Sequence, residues 1–242
     1  MKYGITKTDA FPDFENIEFE FENHRAILVK PNNKPNGKWA FKTEYFGAFP
    51  SLETELLNRG WHVAYIKNDN RWALDADLER KVRFIEFISK EFQLEQKCAM
   101  VGMSCGGLYA ARLSILAPHL VSVLYLDAPV LNLLSCPCAL GDAEVSLFDE
   151  YHKVTGMTIS QMICYRESPI DKLDVLIKNN IPVFLVAGDC DEVVPYHENG
   201  EVLEKYYKDN NGDIEVCIKH GCKHHPHGLE NPDIIADFIE RH

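Results

Sequence analysis

The chain has 242 residues, of which 46% are hydrophobic and 26% charged, a composition typical of one globular domain with a substantial core. Its formal net charge of −12 leaves no basic stripe to neutralise phosphates, so we expect no binding to nucleic acid. The N-terminus shows no secretory signal, and no apolar run reaches the roughly eighteen residues that a membrane-spanning helix needs, so we expect a cytoplasmic protein without a membrane partner.

Strands and helices are predicted to alternate along most of the chain. The segments 16–21 and 25–30 are predicted to form a hairpin, and KWAFK a short strand. The next helix is predicted to begin at Ser51 as its N-cap, with Glu53 and Glu55 in its first turn, and to end at Gly60. Further strands are predicted in WHVAYI, CAMVGM, VSVLYLDAP, IPVFLVAGD and IEVCIKH, and helices in LDADLERKVRFIEFISKEF, CGGLYAARLSILAP, DKLDVLIKNN, YHENGEVLEKYYKD and PDIIADFIER.

This alternation predicts an α/β fold with a mainly parallel central sheet and helices on both of its faces, in one domain over 1–242. The helix in LDADLERKVRFIEFISKEF has an apolar stripe, formed by Leu74, Leu78, Val82, Ile85, Ile88 and Phe92. A longer irregular connection at about 130–170 breaks the alternation. Connections of that length usually have a function of their own, so we expect a small cap over the carboxyl ends of the strands.

The eight cysteines of a cytosolic chain are expected to be free thiols. Cys136 and Cys138 are too closely spaced for a zinc pair, and no second pair accompanies them. Cys105 begins a predicted helix, whose N-terminus lowers the pKa of a thiol. It is therefore either a reactive thiol or a small, half-buried apolar residue, which is how free cysteine usually behaves.

The stretch GMSCG places Ser104 between Gly102 and Gly106, after a predicted strand and before a predicted helix. This is the setting of a nucleophile elbow, in which the glycines relieve crowding between strand and helix. The N-terminus of the following helix would face a developing oxyanion. Serine needs a base to take its proton, and the base needs an acid to orient it.

Acids and histidines follow later predicted strands. Asp189 and Asp191 follow IPVFLVAGD, and His224 and His225 follow IEVCIKH. The order Ser, Asp, His is the chain order of the α/β-hydrolases, and the ends of parallel strands meet at one edge of a sheet. The sequence therefore predicts a catalytic triad that contains Ser104.

From KWAFKTEYFGAFP to the C-terminus the chain resembles the α/β-hydrolase superfamily, in particular its bacterial esterase-like and prolyl-oligopeptidase-like members. The resemblance is carried by G-M-S-x-G-G, G-D-x-D-x-V-V-P and H-H-P-H-G-L. It implies that the acid is Asp191, the second Asp of its motif, and that the base is His224, three residues after Gly221. His225 is the alternative base, and Asp127 the alternative acid because some hydrolases place theirs after that strand.

Other roles are open to these neighbours. Asp127 could instead cap backbone N–H groups in the loop that starts the cap, and Asp189 could brace its own turn. His225 and His227 could pack the loop against the elbow. The four histidines of this region and Cys222 could form a metal site, but ligands need matched geometry, so we expect none.

The oxyanion hole is expected to use the backbone N–H of Cys105 and a second N–H from the loop after KWAFK. By position the second donor is Glu44 or Tyr45, with Thr43 also possible. Arg71 and Trp72 follow another predicted strand. They either line the substrate pocket or are a solvated arginine and a packed tryptophan.

Together these features predict a serine hydrolase, and first a carboxylesterase that acts on a small ester through an acyl-enzyme. No cofactor is implied, and we expect a monomer or homodimer. One alternative is a small amidase or peptidase, favoured if the pocket carries a charge that fixes a peptide terminus. The other is a non-catalytic binding protein that retains the hydrolase fold.

Overall fold

A computed structural model describes residues 3–6 and 10–242 of the chain. Residues 1–2 and 7–9, part of the N-terminal stretch in which we expect no secretory signal, lie outside the described residues. The strands are β1 (Gly4–Thr6), β2 (Glu15–Phe21), β3 (His24–Lys30), β4 (Trp39–Lys42), β5 (His62–Ile66), β6 (Cys98–Met103), β7 (Val121–Asp127), β8 (Val183–Gly188) and β9 (Ile214–Lys219). The helices are α1 (Ser51–Asn58), α2 (Asp75–Glu91), α3 (Cys105–Leu116), α4 (Phe148–Thr155), α5 (Ile159–Cys164), α6 (Leu173–Lys178), α7 (Gly200–Asp209) and α8 (Asp233–Arg241).

These strands form one sheet in the order β1-β2-β3-β5-β4-β6-β7-β8-β9. The pairs from β5 to β9 are parallel, and those that involve β1, β2 and β3 are antiparallel. The sequence pattern predicted the hairpin β2–β3 but not the short edge strand β1. The predicted α/β class and mainly parallel sheet are confirmed.

Helices cover both faces of the central strands. Every residue of β6 and β8 is buried, as expected for parallel strands with a helix layer on either side. Helices α2, α3, α6 and α7 pack on one face in a large apolar cluster, and α1 and α8 pack on the other face around residues such as Leu56 and Ile239. Among the described residues, no helix combines the length and apolar character that crossing a bilayer requires.

The start of α1 differs from the prediction. Pro50 is the N-cap and Ser51 already belongs to the helix, with no capping bond from its side chain. Of the two predicted first-turn acids only Glu53 lies there, because the helix starts at Ser51. Its carboxylate forms an ion pair with Lys42 of β4, and both side chains are buried. Removing two charges from water requires that each has a partner, so this pair ties α1 to the strand beneath it.

The connection between β7 and α6 contains α4 and α5. The side chain of Asn199 accepts hydrogen bonds from the N–H groups of Leu131 and Asn132, both at 2.9 Å, and so anchors its first residues to the start of α7. Further along, Tyr151 of α4 packs edge-on against Trp72, with 5.4 Å between ring centroids. The connection therefore lies on the carboxyl side of the sheet.

The strand order reverses between β4 and β6. From β4 the chain moves to β5 on one side, then crosses back to β6 on the other. Connections that leave in opposite directions open a crevice at the carboxyl ends of the two strands, which is the usual ligand site of an open α/β sheet. The loop after β4 and the turn after β6 both border this crevice.

Candidate active site

Ser104 forms the sharp turn between β6 and α3. Its φ of 52° and ψ of −124° lie in a backbone region that residues other than glycine rarely adopt. The turn fits because Gly102 faces it closely: a Cβ added there would lie 2.5 Å from the carbonyl oxygen of Gly106. The backbone N–H of Ser104 donates to the carbonyl oxygen of Asp127 at 2.9 Å, which ties the turn to the neighbouring strand.

The structure brings Ser104, His224 and Asp191 together in a row. Nε2 of His224 lies 3.0 Å from Oγ of Ser104, and Nδ1 lies 2.7 Å from Oδ2 of Asp191. The side chains of His224 and Asp191 are 9% and 1% exposed. The second carboxylate oxygen of Asp191 accepts the N–H groups of Val193 and Val194, both at 2.9 Å. The acid is therefore held in one orientation by its own turn.

Asp189 lies apart from this row. Its carboxylate accepts the N–H of Gly221 at 2.7 Å and pairs with His220 at 2.8 Å. These contacts lower the pKa of Asp189, chiefly through the hydrogen bond to His220. Asp189 thus links the loop after β8 to the loop that carries the histidines.

Asp127 forms a second buried pair, with His227. Oδ1 of Asp127 lies 2.8 Å from Nδ1 of His227, and Oδ2 accepts the N–H of Gly228 at 2.5 Å and the hydroxyl of Tyr125 at 3.0 Å. The carboxylate caps the histidine loop, so Asp127 takes neither of the two roles considered for it, the alternative acid of Ser104's triad or a cap for the loop at the start of the β7–α6 connection. The reason is that the side chain of Asp127 points towards residues 227–228 of the loop after β9, where the buried His227 needs a hydrogen-bonding partner.

His225 stands at the mouth of the crevice. Its ring stacks on Phe49 at 5.7 Å between centroids, with 12° between the planes. Burial, together with the nearby His224 and His227, lowers the pKa of His225. In the described chain, the hydrogen bonds to Ser104 and Asp191 that orient a base come from His224 and not from His225.

The oxyanion donors can now be compared. Cys105 is the first residue of α3, so its N–H has no partner within the helix. The N–H of Thr43 donates to Val101 at 3.1 Å, and that of Tyr45 to the carboxylate of Glu44 at 3.1 Å. The predicted use of the Tyr45 N–H is therefore wrong, because the preceding side chain captures it. The N–H of Glu44 is left as the backbone donor of this loop.

A network beneath that loop was missed by the sequence analysis. The side-chain amide of Asn68 donates to the carbonyl oxygen of Thr43 at 3.0 Å and to the carboxylate of Glu44. The amine of Lys81, fully buried in α2, donates to the same carbonyl at 3.1 Å and to that of Ile66 at 3.3 Å. This network gives the Glu44 side chain a place, as an acceptor that fixes the loop.

A cavity of about 380 Å³ opens beside Ser104. Its lining is mostly apolar and comes from the loops after β4 and β5, the elbow, the β7–α6 connection and the loops after β8 and β9. The lining residues are Tyr45, Ala48, Phe49, Arg71, Met103, Ser104, Cys105, Cys136, Val145, Leu147, Val193, His224, His225 and His227. The cavity matches the size and character of a small-molecule or side-chain site.

Arg71 brings a permanent charge to this cavity. Its guanidinium holds both carboxylate oxygens of Glu150 from α4, with Nε to Oε1 at 2.8 Å. This hydrogen bonding raises the pKa of Arg71. Trp72 does not reach the cavity: it is 1% exposed, and its indole N–H donates to Glu150 at 3.0 Å. Of the two predicted pocket residues the structure brings only Arg71 to the cavity, because α4 covers the tryptophan ring.

Comparison with known families decides the classification. Residues 61–242 match the model of the prolyl oligopeptidase family, and this span is three quarters of the chain. It contains Ser104, Asp191 and His224. The chain belongs to the prolyl oligopeptidase family. It is therefore a serine hydrolase with the α/β-hydrolase fold.

Solved structures of several peptidases share this fold. One is a puromycin-hydrolyzing peptidase of Mycobacterium tuberculosis, at 15% identity and a TM-score of 0.73, which covers 96% of this chain and 39% of its own. Another is an acylaminoacyl peptidase of Pyrococcus horikoshii, at 17% identity and a TM-score of 0.68, covering 87% and 37%. No curated protein sequence gave a match.

The chain spans well under half the length of these structures. An acylaminoacyl peptidase in complex with Z-Gly-Gly-Phe-chloromethyl ketone, at 18% identity and a TM-score of 0.72, covers 94% of this chain but only 41% of its own. At such identities the likeness establishes the shared fold alone. The substrates of those larger proteins are properties of those proteins.

Of the two interpretations of Cys105, the structure favours the buried apolar residue over the reactive thiol. Burial raises the pKa of Cys105 to about 11, although the residue begins α3. A helix N-terminus contributes about 0.3–1 kcal/mol at such a site. A rise of two pKa units corresponds to nearly 3 kcal/mol, so burial outweighs the helix. All eight cysteines are free, and Cys136 and Cys138 are buried.

Proposed function

We propose that this member of the prolyl oligopeptidase family is a peptidase that cleaves amide bonds, with Ser104, His224 and Asp191 as its triad. The observation that carries the proposal is the hydrogen-bonded row of 3.0 and 2.7 Å that links these three side chains. The family match supports peptides as substrates ahead of esters. It reverses the order in which the sequence analysis placed the two classes.

In this mechanism His224, oriented by Asp191, accepts the hydroxyl proton of Ser104 as Oγ attacks the substrate carbonyl carbon. The tetrahedral intermediate collapses, the amine leaves with the proton from His224, and an acyl-enzyme remains on Ser104. Water then attacks the acyl carbon while His224 takes its proton, and Ser104 regains a proton as the acid is released.

The negative charge on the carbonyl oxygen needs donors that are already in place. We assign the N–H groups of Cys105 and Glu44 to this role, together with the hydroxyl of Tyr45. Burial raises the pKa of Tyr45, so the phenol stays protonated and remains a donor at neutral pH. The thiol of Cys105 and the guanidinium of Arg71 lie beside that hydroxyl, on the side of the cavity that faces the elbow.

Arg71 supplies the charge that a peptide terminus would need. Its pair with Glu150 is partly exposed, at 33% and 45% of the two side chains, so solvent screens it and little energy opposes a rearrangement. A substrate carboxylate could replace Glu150 with the same two-pronged geometry. We therefore propose that Arg71 recognises a carboxylate of a short peptide, and that the connection carrying α4 acts as a cap.

A small ester remains the second candidate substrate. It is favoured by the apolar side chains that line most of the cavity, such as Phe49, Met103 and Leu147, which suit a short acyl or alcohol group. The same triad performs both reactions, because each passes through an acyl-enzyme on Ser104.

The experiment compares amides and esters that share one acyl group: aminoacyl and dipeptidyl p-nitroanilides against the matching p-nitrophenyl esters. We expect amide turnover by the wild-type protein that Ser104→Ala lowers by about a million-fold. The thermal midpoint of Ser104→Ala should stay close to that of wild type. Ester turnover without amide turnover above the Ser104→Ala background would identify the protein as a carboxylesterase and contradict the peptidase proposal.

The role of Arg71 is tested with peptides that carry a carboxylate and with neutral analogues. Arg71→Gln should raise KM for the anionic peptides about tenfold, and should leave KM for the neutral ones nearly unchanged. Arg83→Gln is the matched control, since Arg83 also holds a glutamate, Glu22, by two hydrogen bonds but does not line the cavity. Equal effects of Arg71→Gln on both substrate sets would contradict the assignment.

A further inference from the structure

Three imidazoles stand together in the cavity beside Ser104. The ring centroids of His224, His225 and His227 form a nearly equilateral triangle, with sides of 4.9, 5.0 and 4.8 Å. One nitrogen from each ring can be chosen so that all three lie within 4.8 Å of one another. His220 and Cys222, which the sequence placed in the same cluster, are not part of this group.

This spacing is close to that of three histidines around one metal ion. Zinc binds imidazole nitrogen at about 2.0–2.1 Å, so three rings in tetrahedral directions have centres about 5 Å apart. The planes of the three rings are inclined to one another by 66°, 81° and 88°, so the rings do not stack and their edges can point to one centre. To complete the set, the exposed His225 ring would have to rotate against its stack on Phe49.

Two of the three rings are already anchored as metal ligands usually are. Nδ1 of His224 pairs with Asp191 at 2.7 Å, and Nδ1 of His227 pairs with Asp127 at 2.8 Å. Each carboxylate fixes the tautomer that leaves a lone pair on Nε2, which is the arrangement found behind zinc-binding histidines. Both carboxylates are only 1% exposed, and their two negative charges match the charge of a divalent cation.

We propose that His224, His225 and His227 bind one divalent transition-metal ion such as Zn²⁺ reversibly, and that this ion blocks hydrolysis. Nε2 of His224 has one lone pair. A metal that takes it breaks the 3.0 Å contact with Ser104, so the serine loses its base. The three histidines line the cavity, so a fourth ligand of the ion would be water from that side. A ligand set made only of nitrogen selects Zn²⁺ and its neighbours over Mg²⁺ and Ca²⁺.

Binding is tested first, by equilibrium dialysis of the metal-free protein against Zn²⁺. We expect one tightly bound ion per chain, and a dissociation constant raised at least tenfold by His225→Ala and by His227→Gln. His225→Ala keeps the test decisive if the buried His227→Gln variant does not fold. Ser104→Ala should bind Zn²⁺ at least as tightly as wild type, because it removes the hydroxyl that competes for Nε2.

The chain offers a matched control. Asp142 of the β7–α6 connection, with His197 and Glu198 from the turn before α7, forms a second group that could hold a metal ion. His197→Ala removes the imidazole of that group and should leave tight Zn²⁺ binding unchanged. Loss of the tight site in His197→Ala, or an unchanged dissociation constant in His225→Ala, would overturn the proposal.

Inhibition, which rests on the proposed function, is tested second. Zn²⁺ should suppress hydrolysis by wild type, EDTA should restore it, and Mg²⁺ should have no effect at the same concentration. In His225→Ala the half-inhibitory concentration should rise at least tenfold relative to that variant's own uninhibited rate. Zn²⁺ that binds to the three histidines while hydrolysis continues at the full rate would overturn the inhibitory role. Dialysis needs no turnover, so failure of the peptidase proposal alone leaves the binding result standing.

Discussion

The amine of Lys81 donates a hydrogen bond of 3.1 Å to the backbone carbonyl of Thr43. Lys81 is fully buried between the rings of Phe41 and Tyr109, at 4.9 and 5.1 Å from their centroids. Thr43 begins the loop that brings Glu44 and Tyr45 to the elbow. A buried lysine on α2 thus holds the loop to which we assign the second set of oxyanion donors.

Burial lowers the pKa of Lys81 to about 7, against an ordinary value near 10.5. Between these two values the unfolded chain binds a proton that the folded chain has released, so the free energy of unfolding rises with pH. The contribution of Lys81 should grow by about 2 kcal/mol from pH 7 to pH 9. Below pH 7 both states hold the proton and the contribution is constant.

Urea unfolding of wild type and Lys81→Met at pH 6, 7, 8 and 9 measures this difference. The free energy of wild type should climb relative to Lys81→Met above pH 7, and the two should run parallel below it. Parallel curves over the whole range would mean that the pKa of Lys81 is not lowered.

The fold could be predicted from the sequence because its signal is local. Buried parallel strands are short apolar runs, and residues that follow them must meet at one edge of the sheet. That rule alone gathers Ser104, Asp191 and His224, since each stands just after a strand in the expected chain order. The distances between them require the structure.

What could not be predicted depends on contacts between distant segments or within one turn. Val82 of the predicted α2 stripe packs half-buried against the core, but the fully buried Lys81 beside it was not predicted. Its position at helical spacing between Leu78 and Ile85 was the available signal. The N–H of Tyr45 is captured by the Glu44 side chain, and no spacing rule reports that. Trp72 contacts Tyr151 and Glu150 of α4, which lies 78 residues further along the chain at Glu150.

The two adjacent histidines should respond differently to truncation. His224→Ala should lower kcat by about a million-fold, as much as Ser104→Ala, because base and nucleophile act as one unit. His225→Ala should keep a measurable fraction of the rate, since its ring stacks on Phe49 and the described hydrogen bonds to Ser104 and Asp191 come from His224. Steady-state kinetics with one amide substrate compares the three variants. The reverse ranking of the two histidines would move the base to His225.

Removing the hydroxyl of Tyr45 should weaken the oxyanion hole and leave the fold intact. Tyr45→Phe keeps the ring in the wall of the cavity but loses the protonated phenol. We expect kcat to fall about a hundredfold with little change in KM, because an oxyanion donor acts in the transition state. A variant that matches wild type in kcat would show that the N–H groups of Cys105 and Glu44 suffice.

Iodoacetamide should not alkylate Cys105, the cysteine next to the nucleophile. Burial raises the pKa of Cys105 to about 11, and the residue is only 2% exposed. At pH 8 about one thiol in a thousand is then ionised, and only the thiolate reacts.

Cys164, exposed on α5, is the internal control in the same sample. We expect iodoacetamide to modify Cys164 within minutes while Cys105 and the hydrolytic rate persist, followed by peptide mass spectrometry and activity over the same time course. The rate should fall no faster in wild type than in Cys105→Ala. An adduct on Cys105 that forms as fast as that on Cys164, with loss of activity in wild type alone, would show that the start of α3 outweighs burial at this thiol.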